Sequence, residues 1–135
     1  MPRPKNLNEE KLFDLIKEYI MPDLQKSEHF DSHDCTSRLY KMLIELKCRS
    51  EHYDELLIEK KKYFALLRSP QKNVRYVCST PNGVYAFNLR SLPEPQWTVQ
   101  DCKKTTEFSD RLLYVPKVVG FFHINDAIEI SDWFE

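Results

Sequence analysis

The spacing of hydrophobic positions changes several times along the chain, and each change marks an element. From Asn6 to Gln25, Leu12, Phe13, Ile16, Tyr19, Ile20 and Leu24 recur at helical spacing, with Asp14, Lys17 and Glu18 on the other side. This predicts an amphipathic helix that Pro22 can end early. Glu9 falls inside the apolar stripe. It reads either as half of a capping box with Asn6 or as a carboxylate kept for function. The period then drops to two. His29 to Asp34 and Leu39 to Cys48 are extended runs around the polar break Cys35-Thr36-Ser37-Arg38, the pattern of a β-hairpin. In the second run Tyr40, Met42, Ile44 and Leu46 take one face, and Lys41, Leu43, Glu45 and Lys47 the other.

Residues 51–68 return to helical spacing, capped by Ser50, with Tyr53, Leu56, Tyr63, Phe64 and Leu67 in the stripe and Lys60 inside it. Val74 to Ser79 and Val84 to Leu89 flank Thr80-Pro81-Asn82-Gly83, and Asn-Gly between alternating runs predicts a second hairpin. Beyond Pro93-Glu94-Pro95 the pattern weakens. Trp97 to Val99 and Val115 to Ile124 read as strands, Lys103 to Thr106 as a polar loop, and Ile124 to Phe134 as a short ending.

The chain of 135 residues suits one domain with its own core, spanning 1–135. Apolar residues make up 41%, and 20 Lys plus Arg nearly balance 21 Asp plus Glu, which excludes a disordered tail, a collagen or a coiled coil. No run of apolar residues is long enough for a membrane helix, and Met1-Pro2-Arg3-Pro4-Lys5 lacks a signal-peptide core, so no membrane partner and a cytoplasmic location are expected. Cys35, Cys48, Cys78 and Cys102 form no C-x-x-C and no zinc spacing with the histidines, and read as reduced packing thiols. The charge is unevenly spread: residues 41–75 carry nine basic and five acidic groups, and residues 121–135 carry four acidic groups only.

Candidate chemistry gathers around Glu45-Leu46-Lys47. A hairpin centred near Ser37 or Arg38 sets Asp31 opposite or diagonal to Glu45. Asp34 is the alternate, and would oppose Glu45 if the turn centred on Leu39-Tyr40, which are poor turn formers. Two carboxylates, helped by the Leu46 backbone carbonyl, suit Mg²⁺ or Mn²⁺ with several positions left to water and phosphate. A lysine two residues on shares their face, where it can orient or deprotonate the attacking water and stabilise charge developing on phosphate.

The order of helix, Asp-bearing strand, Ile44-Glu45-Leu46-Lys47 strand, amphipathic helix and apolar strand Val74 to Cys78 resembles the PD-(D/E)XK nuclease superfamily. That family includes restriction enzymes, RecB-type nucleases and Holliday-junction resolvases. The resemblance covers about residues 8–79, with a hairpin and C-terminal extension beyond that core. It implies an α/β (α+β) fold with a restriction-endonuclease-like mixed central sheet flanked by helices. It also implies Asp31 and Glu45 as metal ligands and Lys47 as the catalytic lysine. Glu59-x-x-x-Tyr63 matches the spacing of the QxxxY element of RecB-like members, and Lys60 falls where resolvase-like members carry a Lys or Gln. Two departures stand out. Phe30 replaces the signature proline, and residues 26–30 leave little room for the strand that usually precedes the Asp strand.

The function expected from this reading is metal-dependent endonucleolytic cleavage of DNA, structure-specific or resolvase-like, with branched or single-stranded substrates and a homodimer among its expectations. Arg49, Lys60, Lys61, Lys62, Lys72 and Arg75 would contact phosphates, with Lys103 and Lys104 as a second patch. The alternative is a non-catalytic module of the same fold that binds nucleic acid or protein.

Overall fold

A computed structural model describes residues 7–27, 33–106 and 109–134, with the side chains of 103–106 and 109–113 outside the description. Helix α1 (Glu9–Tyr19) is shorter than its apolar stripe predicts. Its first turn is capped by Asn8, whose side chain accepts from the Lys11 amide at 2.8 Å, and Glu9 and Glu10 complement the helix dipole there. Its exit is tied by Lys17, whose Nζ donates to the carbonyls of Pro22 at 3.0 Å and Leu24 at 2.7 Å.

The remaining elements are β1 (Gln25–Lys26), β2 (Asp34–Ser37), β3 (Met42–Cys48), β4 (Glu55–Glu59), α2 (Lys60–Leu67), β5 (Asn73–Thr80), β6 (Gly83–Asn88), β7 (Thr98–Thr106), β8 (Ser109–His123) and β9 (Ile128–Glu129). The result is a mixed α+β fold. A six-stranded sheet runs β1-β2-β3-β5-β6-β9 and a three-stranded sheet runs β4-β8-β7. All pairs are antiparallel except β3 with β5, whose parallel pairing requires the crossover through β4 and α2. Among the described residues, no helix is long and apolar enough to cross a membrane.

The alternation predicted for β3 is realised. Met42, Ile44 and Leu46 enter a core with Leu12, Phe13 and Ile16 of α1, and Leu43 enters a second core with Leu56, Ile58, Phe87 and Phe122. Glu45 and Lys47 share Leu43's face, which the smaller sheet and α2 cover. The second hairpin also forms as expected, although Gly83 serves for space rather than for a positive φ, which no described glycine adopts. A Cβ at Gly83 would lie 2.6 Å from Glu129 Oε1 and 2.8 Å from Ser131 Oγ.

Three expectations fail for long-range reasons. Residues 51–59 are not helical: Glu55–Glu59 pairs with β8, which buries Leu56 and Ile58 at period two, and the helix begins only at Lys60. Lys103–Thr106 continues β7 against β8 instead of forming a loop. A two-residue strand, β1, does precede β2 in the space thought too short for one.

The first hairpin turns over residues 38–41, centred on Leu39-Tyr40, and not at Ser37 or Arg38. A distant carboxylate overrides the poor local propensity. Asp23 accepts from Ser37 Oγ at 2.7 Å and from the Leu39 amide at 2.8 Å, Ser37 Oγ accepts from the Tyr40 amide at 3.1 Å, and Lys41 adopts φ 50. The Leu39 amide, followed by the Ser37 hydroxyl, holds the Asp23 carboxyl below its ordinary value. Ionised Asp23 therefore stabilises the fold above the ordinary carboxylate pKa, and that contribution is lost as pH falls through the lowered one. Asp23→Asn should be less stable than wild type at neutral pH and should lose less stability on acidification in thermal melts. Parallel melting curves for the two proteins would refute this role.

Candidate functional site

The displaced turn sets the register of the site. Asp34 lies directly opposite Glu45 and Cys35 opposite Ile44, so the two acids share a face at the junction of β2 and β3. Asp31, the preferred first ligand, lies outside the described residues, as do His29 and Phe30. Asp34, the alternate, is the acid that faces Glu45.

Glu45 is only 7% exposed, an uncommon location for a carboxylate. Lys62 of α2 places its Nζ 3.5 Å from Oε1, while Oε2 is buried without a hydrogen-bond partner. Burial pushes the Glu45 carboxyl up; the Lys62 charge opposes this, the Asp34 charge reinforces it and His33 opposes it weakly. Lys47, two residues along the same face, is exposed and makes no ion pair among the described residues. Leu46 buries its side chain in the α1-side core and its amide donates to the His33 carbonyl at 3.0 Å.

This face opens into a cleft of about 570 Å³ between β3 and the smaller sheet, with Glu45, Lys47, Lys62, Glu59, Asp101 and Lys117 among its lining. Glu59 ends β4 and pairs with Lys117 of β8, whose ammonium that contact holds above its ordinary pKa. Lys117 and Asp101 went unnoticed in the sequence, because only the pairing of β8 with β4 and β7 delivers them to the cleft.

Other candidates fall elsewhere. Asn6, the expected capping-box partner of Glu9, lies outside the described residues; Glu9 is not among the cleft lining, and its Oε1 accepts from the Cys48 amide at 3.3 Å at the end of β3. Glu59 and Tyr63 do not share a helix face, since Glu59 is extended at the N-cap of α2. Tyr63 is buried against Phe64, Trp97 and Phe122. Lys60 leaves the apolar stripe because the helix starts there, and is exposed beside Lys61 at a neighbouring depression that shares Glu59 and Lys117 with the cleft. Arg49 lines the cleft but is used structurally, donating from Nη2 to the Leu57 carbonyl at 2.7 Å and to Tyr76 Oη at 3.3 Å. Arg75 shares the sheet face of Ile44 and Val77, turned away from the cleft, and Lys72 is exposed in the loop before β5. Lys103 and Lys104 lie in β7, with side chains outside the description.

Among the described residues no three His, Cys, Asp or Glu side chains converge on one point. The donor set at hand is two opposed carboxylates, one with a free buried oxygen. That set fits Mg²⁺ or Mn²⁺, which keep several waters, better than zinc. The thiols of Cys35, Cys48 and Cys78 are pushed up to about 12 chiefly by burial, as expected of packing thiols kept protonated. No protein-family model, no curated protein and no solved structure matches this chain.

Proposed function

We propose that the protein is a metal-dependent endonuclease that hydrolyses phosphodiester bonds in DNA. Asp34 and Glu45 would hold Mg²⁺ or Mn²⁺, and Lys47 would act beside the scissile phosphate. The observation that carries this reading is the Asp34–Glu45 register, with Lys47 two positions further along the same face. The element order supports it: a helix, antiparallel strands bearing Asp and then Glu-x-Lys, a crossover ending in a helix, and a parallel neighbour, as in a restriction-endonuclease-like core. Asp34 takes the role first assigned to Asp31.

When bound, the ion supplies charge neutralisation on the phosphate and acidifies a water. The chain's own groups do the rest. Glu45 offers its partnerless Oε2, and Lys62 favours its ionised form against burial. Lys47 orients the attacking water and stabilises negative charge developing on the phosphate oxygens. Lys62 and Lys117 line the cleft where backbone phosphates would lie.

The test is cleavage of a panel of plasmid, single-stranded DNA, four-way junction, flap and RNA, with Mg²⁺ or Mn²⁺. Glu45→Gln is expected to abolish cleavage and stay folded. Because burial raises the Glu45 pKa, the native state holds this proton more tightly than the unfolded chain. Stability therefore declines as pH rises from the ordinary carboxylate value through the raised one. Gln removes that decline, so its Tm at neutral pH should equal or exceed that of wild type. A lower Tm with cleavage intact would make Glu45 structural.

One observation favours the alternative, a non-catalytic nucleic-acid-binding or protein-interaction module: Lys62 already neutralises Glu45. Wild type that neither cuts nor binds Mn²⁺, yet retards a nucleic acid in a gel, would select that reading.

A further inference from the structure

Four features of the cleft are not accounted for by the metal ligands. Tyr114 on β8 and Tyr53 in the β3–β4 loop both line it, and they are 59% and 58% exposed. Tyr53 Oη donates to Glu51 at 2.6 Å, which anchors the hydroxyl beside an exposed ring. Lys47, Lys62 and Lys117 line the cleft together with Glu45. The cleft also continues into a second cavity of about 600 Å³ through the shared residues Arg49, Tyr53, Leu57 and Gln100, ending near Phe121.

We infer that this groove binds a single-stranded polynucleotide, with Tyr114 and Tyr53 as base-stacking platforms in the cleft that Lys47 also lines. A groove combining cations with exposed aromatics is the general means of holding single strands, because every base has a face to stack and every linkage a charge. Each cavity falls in the roughly 300–1,000 Å³ range of sites for small ligands, which suits a few nucleotides of a single strand. Continuity of the two cavities favours a polymer over a mononucleotide. Asp54 and Glu55 line the far cavity and repel phosphate. The backbone is thereby confined to the stretch between Lys117 and Arg49, and a base is left to meet Tyr53 and Phe121. Tyr85 and Phe87 are buried, Trp97 packs on Tyr63 and Phe64, and Phe108 lies outside the described residues; Tyr19, Tyr40 and Trp133 are exposed but line neither cavity.

As a statement about substrate class, this inference rests on the nuclease reading. Strand binding itself is measured without metal, so the two can fail separately. The experiment is fluorescence anisotropy of labelled oligothymidylate, oligouridylate and a hairpin duplex with the full chain in EDTA, alongside cleavage of the same molecules with Mn²⁺. Wild type should bind the single strands in preference to the duplex, with affinity falling steeply with salt. Tyr53→Ala and Tyr114→Ala should each weaken binding roughly five- to 150-fold, while the Phe variants, which keep the stacking face, should retain it. Oligothymidylate and oligouridylate together distinguish DNA from RNA as the strand preferred. Single-strand binding that needs both tyrosines, without cleavage, would keep the strand site and overturn the nuclease. Duplex cleaved as readily as single strands, or Ala variants that bind like wild type, would overturn the strand site and leave the nuclease standing. Neither binding nor cleavage would overturn both.

Discussion

Lys47→Ala should reduce metal-dependent cleavage by about 10²- to 10⁴-fold, the range in which a positioned proton-transfer or charge-stabilising group contributes. The protein should meanwhile melt at its wild-type temperature. The separation of the two effects follows from the position of the side chain. Lys47 is exposed, makes no ion pair among the described residues and sits on a strand whose opposite face is filled by Met42, Ile44 and Leu46. Removing its ammonium therefore costs the fold almost nothing, since exposed charges rarely contribute more than about 1 kcal/mol even when paired. Initial-rate cleavage and a circular dichroism melt on the same preparation check both halves. Arg at this position should restore only part of the rate, because a planar, forked guanidinium does not place its donors where a single ammonium does. Unchanged cleavage in Lys47→Ala would remove the lysine, and with it the proposed mechanism.

The second large effect is on stability. Phe87 is completely buried and stacks on Phe122 of β8 at 5.4 Å between centroids, so it joins the six-stranded sheet to the three-stranded one. Phe87→Ala should cost about 3–5 kcal/mol, through lost transfer free energy and the cavity left behind. Against a total of about 5–15 kcal/mol for a domain, that leaves the protein marginal or unfolded. Since the cleft is walled by both sheets, the surviving folded fraction should also lose single-strand affinity. Urea unfolding should show the midpoint fall accordingly. Ile58→Val, in the same core, should lower it by only about 0.5–1.5 kcal/mol. A midpoint for Phe87→Ala close to that of Ile58→Val would mean that the sheets are held together elsewhere.

Much of this was readable from periodicity. The α1 stripe, the alternation that sends Glu45 and Lys47 to one face of β3, and the Pro81-Asn82-Gly83 hairpin all depend on neighbours within a few residues, where propensity and pattern act directly. Glu45-Leu46-Lys47 was visible as a unit for the same reason. The identity of the facing acid was not. It turns on where a loop closes, and that was decided by Asp23, which caps the Leu39 amide across sixteen positions of chain. Judged locally, Leu39-Tyr40 is a poor turn, and the better turn at Ser37 or Arg38 points to Asp31.

The same distinction separates the two halves of the molecule. Residues 55–59 carry Leu56, Leu57 and Ile58 between acids, a run that fits one helical turn or a short strand, and β8 decides it by supplying a pairing edge 60 to 68 residues away in sequence. That choice turned Glu59 from a helix residue into a strand end paired with Lys117 and brought Asp101, Tyr114 and Lys117 around the Glu45 face. By itself the sequence determined the elements whose hydrophobic spacing admits one period, and the faces on which their charges lie. The tertiary structure alone decided the turn, the partner of Glu45 and the groove. Each of these depends on long-range hydrogen bonds and burial whose free energy exceeds the small differences in local propensity.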